Sequence, residues 1–146
     1  MAYIPDSNIV LRLVNKKDPN HLNVSQTLKK LESDGETIVI IIPQILVEFW
    51  VVATRPIDVN GLGMMTDEAE KELENLQKLF TVLPENERIF DEWKRLVARY
   101  KVSGKPSHDA RIVAAMKVHR IENILTLNPN DFKRYTEIKA VRPQDI

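Results

Sequence analysis

Apolar residues recur along this chain in two rhythms, and the rhythms alternate. Tyr3-Ile4-Pro5 is a short apolar lead that reads as the end of a buried strand. Ile9, Val10, Leu13 and Val14 then follow helical spacing. Asp18-Pro19-Asn20 breaks that helix; Val24, Leu28 and Leu31 mark a second one, ended by Ser33-Asp34-Gly35. Residues 37–42 are β-branched throughout and lack polar alternation, the pattern of a strand covered on both faces in a parallel sheet. Pro43 stands where a helix can begin, and 45–53 is a strongly apolar helix that must stop before Pro56.

Residues 58–65 hold two of the four glycines and read as a loop. Thr66-Asp67-Glu68-Ala69 opens a helix with Leu73, Leu76, Leu79 and Phe80 on one face. Thr81-Val82-Leu83 is a short strand, and Ile89, Phe90, Trp93, Leu96, Val97 and Tyr100 make an amphipathic helix. After a turn over 102–106, Ser107 is placed to cap a helix carrying Ile112, Val113 and Met116. Strands follow at 123–127 and 137–141. Alternating strands and helices predict an α/β fold with a mostly parallel sheet of four or five strands. In such a sheet, chemistry gathers beyond the carboxyl ends of the strands.

Composition narrows the function. A length of 146 residues predicts one domain over 1–146, long enough to bury roughly 70% of its unfolded surface without a staple. The absence of cysteine excludes disulfides, thiolate zinc sites and a cysteine nucleophile. The longest apolar run, around Ile38 to Pro43, falls far short of the ~20 residues that a bilayer crossing needs. No basic and apolar leader stands ahead of Asp6, so a cytoplasmic address is expected. Twenty-one bases offset 21 acids, but unevenly. Residues 67–87 carry seven acids against Lys71 and Lys78, whereas 94–120 carry eight bases against Asp109 alone. The basic stretch can follow a phosphate backbone or form a solvated helix face.

Four acids stand where the pattern wants apolar residues. Glu48 has Ile45, Val51 and Val52 at −3, +3 and +4, so no polar stripe leads it to water. An unpaired carboxylate there costs several kcal/mol unless a base such as Arg55, a hydrogen-bond network or a metal ion compensates. Asp6 heads the buried face marked by Ile9, Val10 and Leu13, although Asp6-Ser7-Asn8 also reads as a helix cap. Asp109 repeats that geometry above Ile112, Val113 and Met116, where the helix dipole alone would favour an acid. Asp131 follows the strand ending near Leu127 and is otherwise a turn aspartate. An oxygen-only set with no chelating histidine pair suits Mg²⁺ or Mn²⁺, which can activate water and stabilise a pentavalent phosphorus.

These segments resemble the PIN-domain nucleases, particularly the VapC-type toxins of bacterial toxin–antitoxin pairs. Tyr3-Ile4-Pro5-Asp6-Ser7-Asn8 is similar to the family's strand followed by Asp, a small hydroxyl residue and Asn. Ile42-Pro43-Gln44 to Glu48 is similar to its second acidic helix, and Arg55-Pro56 with Asn60-Gly61-Leu62-Gly63 to a loop of many toxin members. His108-Asp109-Ala110-Arg111-Ile112 resembles its third motif, and Thr126-Leu127-Asn128-Pro129-Asn130-Asp131-Phe132 its last. The resemblance implies a PIN-like α/β/α sandwich that cuts RNA with Mg²⁺ or Mn²⁺ held by Asp6, Glu48 and Asp109, with Asp131 in support. It also implies an antitoxin partner and a homodimer. Ser7 stands where Thr is commoner, and Asn128 where some branches carry Asp. The hydroxyl of Ser7 or Thr126 can hold a carboxylate, and Asn8 and Asn128 belong to the same supporting group.

Arg99, Lys105, His108 and Arg111 are candidates to meet RNA phosphates, although a surface or capping role is the commoner use of such a histidine and a lone basic residue is usually just surface. Gly61-Leu62-Gly63 lacks the third glycine of a dinucleotide site. A metal-dependent endoribonuclease is therefore set against a catalytically silent PIN-like binding module. A phosphotransfer protein with Asp6 as acceptor is weaker, since no second acid stands beside it.

Overall fold

The computed structural model describes residues 1–146. Five strands form one parallel sheet: β1 (Ala2–Pro5), β2 (Ile38–Ile41), β3 (Thr81–Val82), β4 (Asn123–Leu125) and β5 (Lys139–Val141). Their spatial order is β3-β2-β1-β4-β5, with β1 at the centre. Tyr3 pairs with Val39 on one side and Asn123 on the other. The helices are α1 (Ser7–Val14), α2 (His21–Glu32), α3 (Pro43–Thr54), α4 (Thr66–Leu79), α5 (Glu87–Arg99) and α6 (Pro106–Val118). They complete the expected α/β/α arrangement.

Strands buried on both faces explain the unbroken β-branched runs. Ile4, Ile41, Ile124 and Leu125 are fully enclosed and meet Ile9, Phe49, Ile112 and Met116 in one connected core. Proline fixes two helix starts, Pro43 for α3 and Pro106 for α6. Its missing N–H is no loss there, because the first-turn donors have no helical partner. Ser107 accordingly lies inside α6 rather than capping it.

Three apolar residues expected to be covered are exposed: Ile38, at the start of β2, by 53%, Leu79 by 62% and Phe90 by 60%. The buried stripe of α4 runs through Ala69, Leu76 and on to Phe80, leaving Leu79 at its margin. Phe90 lies beside the α5 stripe and rests on Trp93, ring centroids 5.6 Å apart.

The loop after α3 is tied back to it. The N–H groups of Leu62, Gly63 and Met64 donate to the carbonyls of Val52, Arg55 and Ala53 at 2.8–3.0 Å. These are last-turn carbonyls that would otherwise lack partners. The fold-back leaves no room for a side chain at position 61, where a Cβ would overlap the Arg55 carbonyl. Gly104 differs, having open space but a φ of +71°.

Gly61→Ala is therefore expected to cost roughly 2–3 kcal/mol, more than the ~1 kcal/mol expected of Gly104→Ala. Urea denaturation of both variants checks this ranking, and equal losses would contradict it.

Candidate functional site

β1 and β4 lie side by side, so the residues just past each strand meet at the carboxyl edge of the sheet. Asp6 comes directly after β1, caps α1, and is only 6% exposed. Its backbone N–H donates to the Leu125 carbonyl at 2.8 Å, which fixes the residue against β4. One carboxylate oxygen accepts the Ser7 N–H at 2.8 Å. The other accepts the Thr126 hydroxyl at 2.8 Å and the Asn8 amide at 3.3 Å. Thr126 is fully buried. Its oxygen also accepts from Asn8 Nδ2 and from the Asn128 N–H, so its one donor and both lone pairs are used. Asn8 Oδ1 accepts the Leu127 N–H, closing the network. Of the two hydroxyls offered by the sequence, Thr126 holds the carboxylate; Ser7 contributes its backbone N–H.

Burial pushes the Asp6 carboxyl up to about 6. Hydrogen bonds from Thr126 and Ser7 pull it down, and the charges of Glu48 and Asp131 push it further up. Asp109, half-buried near the start of α6, is raised to about 7 by desolvation and then by Asp6, Asp131 and Glu48, with Arg134 opposing. Asp131 sits exposed on the short turn 129–132 after β4. Asp6 and Asp109 thus both feel the charges of Glu48 and Asp131, and none of the four acids takes part in an ion pair.

Glu48 departs from expectation in one respect. Helix α3 turns Ile45, Phe49 and Ala53 to the core, but Val47 and Val51 are exposed. The acid is half-buried on the wall of a cleft rather than enclosed by apolar neighbours. Its oxygen accepts the Gln44 amide at 3.0 Å, so no pairing with Arg55 is needed.

The cleft, about 880 Å³, runs between α3 and the start of α6. Ser7, Glu48 and Asp109 line it together with Arg55, Lys105, His108 and Arg111. Arg99 lies elsewhere, over the Tyr100 ring and 3.9 Å from Glu137. Arg95 and Lys117 gather around the same glutamate, so the basic stretch of the sequence is not one continuous track. Gln44 and Glu85 join the site without having been singled out. Gln44 stands one helical turn before Glu48, a spacing that could have revealed it; Glu85 is distant in sequence from its partner Arg111.

An oxygen-only donor set under mutual repulsion fits a hard divalent cation of the Mg²⁺ or Mn²⁺ type. No three His, Asp or Glu side chains are set closely enough to enclose a single ion. Rotation of the exposed Asp131 side chain would have to complete the ligation.

The PIN domain family model matches residues 3–138. Among solved structures, VapBC-1 from nontypeable Haemophilus influenzae is similar with a TM-score of 0.72 and 17% identity, covering 99% of both chains. VapBC2 from Rickettsia felis, bound to a DNA fragment from its promoter, gives 0.71 and 15%, covering 97% of this chain and 98% of that one. VapC20 from Mycobacterium tuberculosis, a toxin cleaving the sarcin–ricin loop, gives 0.61 and 17%, covering 84% and 86%. At such identities the likeness concerns the fold. No curated protein matches the chain by sequence.

Between about pH 4 and about pH 7 the folded chain holds protons on Asp6 and Asp109 that the unfolded chain has released. Stability of the metal-free protein should therefore fall as pH rises through that window, by about 3 kcal/mol from Asp6 alone. Urea denaturation in EDTA at pH 5 and pH 8 samples about half of the Asp6 contribution. Mg²⁺ should restore stability more at pH 8 than at pH 5; a metal-free protein more stable at pH 8 would contradict the electrostatic account.

Proposed function

Since the chain belongs to the PIN domain family, we propose that it is a Mg²⁺- or Mn²⁺-dependent endoribonuclease, the toxin of a VapBC-type toxin–antitoxin pair. The observation that supports this reading is that Glu48 and Asp109 line one cleft with Ser7, the residue next to Asp6, and that neither these acids nor Asp131 takes part in an ion pair. In this reading Asp6, Glu48 and Asp109 hold the cation and Asp131 completes the set. When bound, the cation supplies water activation and offsets charge at the phosphorus. Thr126, Asn8, the Ser7 N–H and the Asn128 backbone keep Asp6 in one orientation. Lys105 and His108 line the same cleft and face the RNA phosphates, with Arg55 beside them. No covalent intermediate on the protein is required.

The whole of 1–146 acts as one nuclease domain in the cytoplasm. Its partners are RNA, a cognate antitoxin that covers the acidic site, and a second copy of the chain. The VapBC neighbours support the antitoxin by analogy, and the sarcin–ricin loop cleaved by VapC20 supports RNA. No helix is long and apolar enough to cross a membrane. The exposed Val47 and Val51 would suit the other reading, a catalytically silent PIN-like binding module.

Cleavage of RNA by the purified protein with Mn²⁺, and its arrest by EDTA, separates the two readings. Asp6→Asn, Glu48→Gln and Asp109→Asn should each lower the rate by ~100-fold or more while circular dichroism stays native, since loss of even an outer partner of a metal ligand costs 10–100-fold. Undiminished cleavage by all three refutes the proposal. Thr126→Val should lose ~10-fold or more, and Thr126→Ser, which keeps the hydroxyl, should retain most of the rate.

A further inference from the structure

Glu48 has three rotatable side-chain bonds, stands half in solvent, and has no cation beside it. Something else must limit where its carboxylate goes. Gln44 Nε2 donates both to Glu48 Oε1 at 3.0 Å and to the carbonyl of His108 at 2.8 Å. His108 immediately precedes Asp109, so one amide touches the helix of one acid and the turn of another. The other end of that amide is also occupied: Gln44 Oε1 accepts Arg111 Nη1 at 3.1 Å. Arg111 is held in turn by Glu85, through Nη1 at 3.3 Å and Nη2 at 2.7 Å, a two-pronged pair. Exchanging the oxygen and nitrogen of the amide would set an acceptor against two acceptors and an N–H₂ against the guanidinium. The network thus admits a single amide orientation. Helices α3 and α6 scarcely meet along their backbones, so the amide is a principal tie across the cleft.

We propose that Gln44 is a positioning residue that sets the Glu48 carboxylate against the α6 turn carrying Asp109, with the Arg111–Glu85 pair fixing its amide. The inference rests on the nuclease reading for the role of Glu48. It also gives Arg111 a task besides the phosphate contact expected of it, because three of its five N–H donors are already engaged within the protein.

Calorimetric titration of the full chain with Mn²⁺ tests the idea. Gln44→Ala should weaken binding about 10-fold, as loss of an outer partner of a metal ligand does, while circular dichroism stays native. Arg111→Ala should weaken it in the same direction, and the double variant should be no worse than the worse single one. The electron paramagnetic resonance line shape of bound Mn²⁺ should change in Gln44→Ala, a signature that lost packing alone would not give. In a Glu48→Gln background, Gln44→Ala should add nothing. Unchanged affinity in Gln44→Ala, or an equal further loss in the Glu48→Gln background, overturns the positioning role. If Glu48→Gln weakens Mn²⁺ binding and Gln44→Ala does not, only this inference fails. If the unaltered chain takes up no Mn²⁺ and cuts no RNA, the nuclease reading fails and takes this inference with it.

Discussion

Keeping a carboxylate charged at the carboxyl edge of a buried parallel sheet is the demand to which the rest of the molecule answers. Asp6 stands where the central strand ends, almost shut off from water. An unpaired charge in that position is costly, and no cationic side chain neutralises it. Three donors reach it instead, from Ser7, Asn8 and Thr126. They offset the burial without cancelling it, and the charges of Glu48 and Asp131 add to the imbalance. The residual strain is visible as carboxyl groups held at about 6 and about 7.

The strand order explains why this charge sits where it does. From β1 the chain moves outward to β2 and β3, then returns to the other side for β4 and β5. The crevice between β1 and β4 is therefore the switch point, where the connections diverge and leave space above the sheet. Asp6 and Thr126 border that space from the two adjacent strands, 120 residues apart in sequence. Helices α3 and α6 bring Glu48 and Asp109 to it from either side. A chain with no net charge thus has a concentrated negative floor, with Arg55, Lys105 and His108 along the rim.

Local signals made much of this legible in the sequence. The unbroken β-branched run at 37–42 announced a strand covered on both faces, which holds from Val39 onward but not at Ile38, and Asp6-Ser7-Asn8 announced a cap at its partner strand's end. Both depend only on neighbours in the chain. The apolar character of α3 misled, because a helix that is apolar all round normally lies fully inside. Here one side packs on the core and Val47 and Val51 face open space, so Glu48 has access to water. Pairings between distant residues were the least legible. Nothing near Arg111 in sequence indicates Glu85, and nothing near Arg99 indicates Glu137. The charge count over 94–120 treated those bases as free, whereas folding had already assigned acids to several of them. Leu79 and Phe90 show the same limit for apolar residues: periodicity locates a stripe, but the width of the stripe depends on what packs against it.

The fold-back of residues 61–64 onto the last turn of α3 acts as a buckle. At its other end the helix starts directly from β2 through Pro43, so the rod that carries Glu48 is anchored at both extremities. Val52 and Arg55, whose carbonyls hold that loop, also line the cleft beside Glu48. An occupant of the cleft that touches either of them therefore meets the fastening of the same rod that carries the acid.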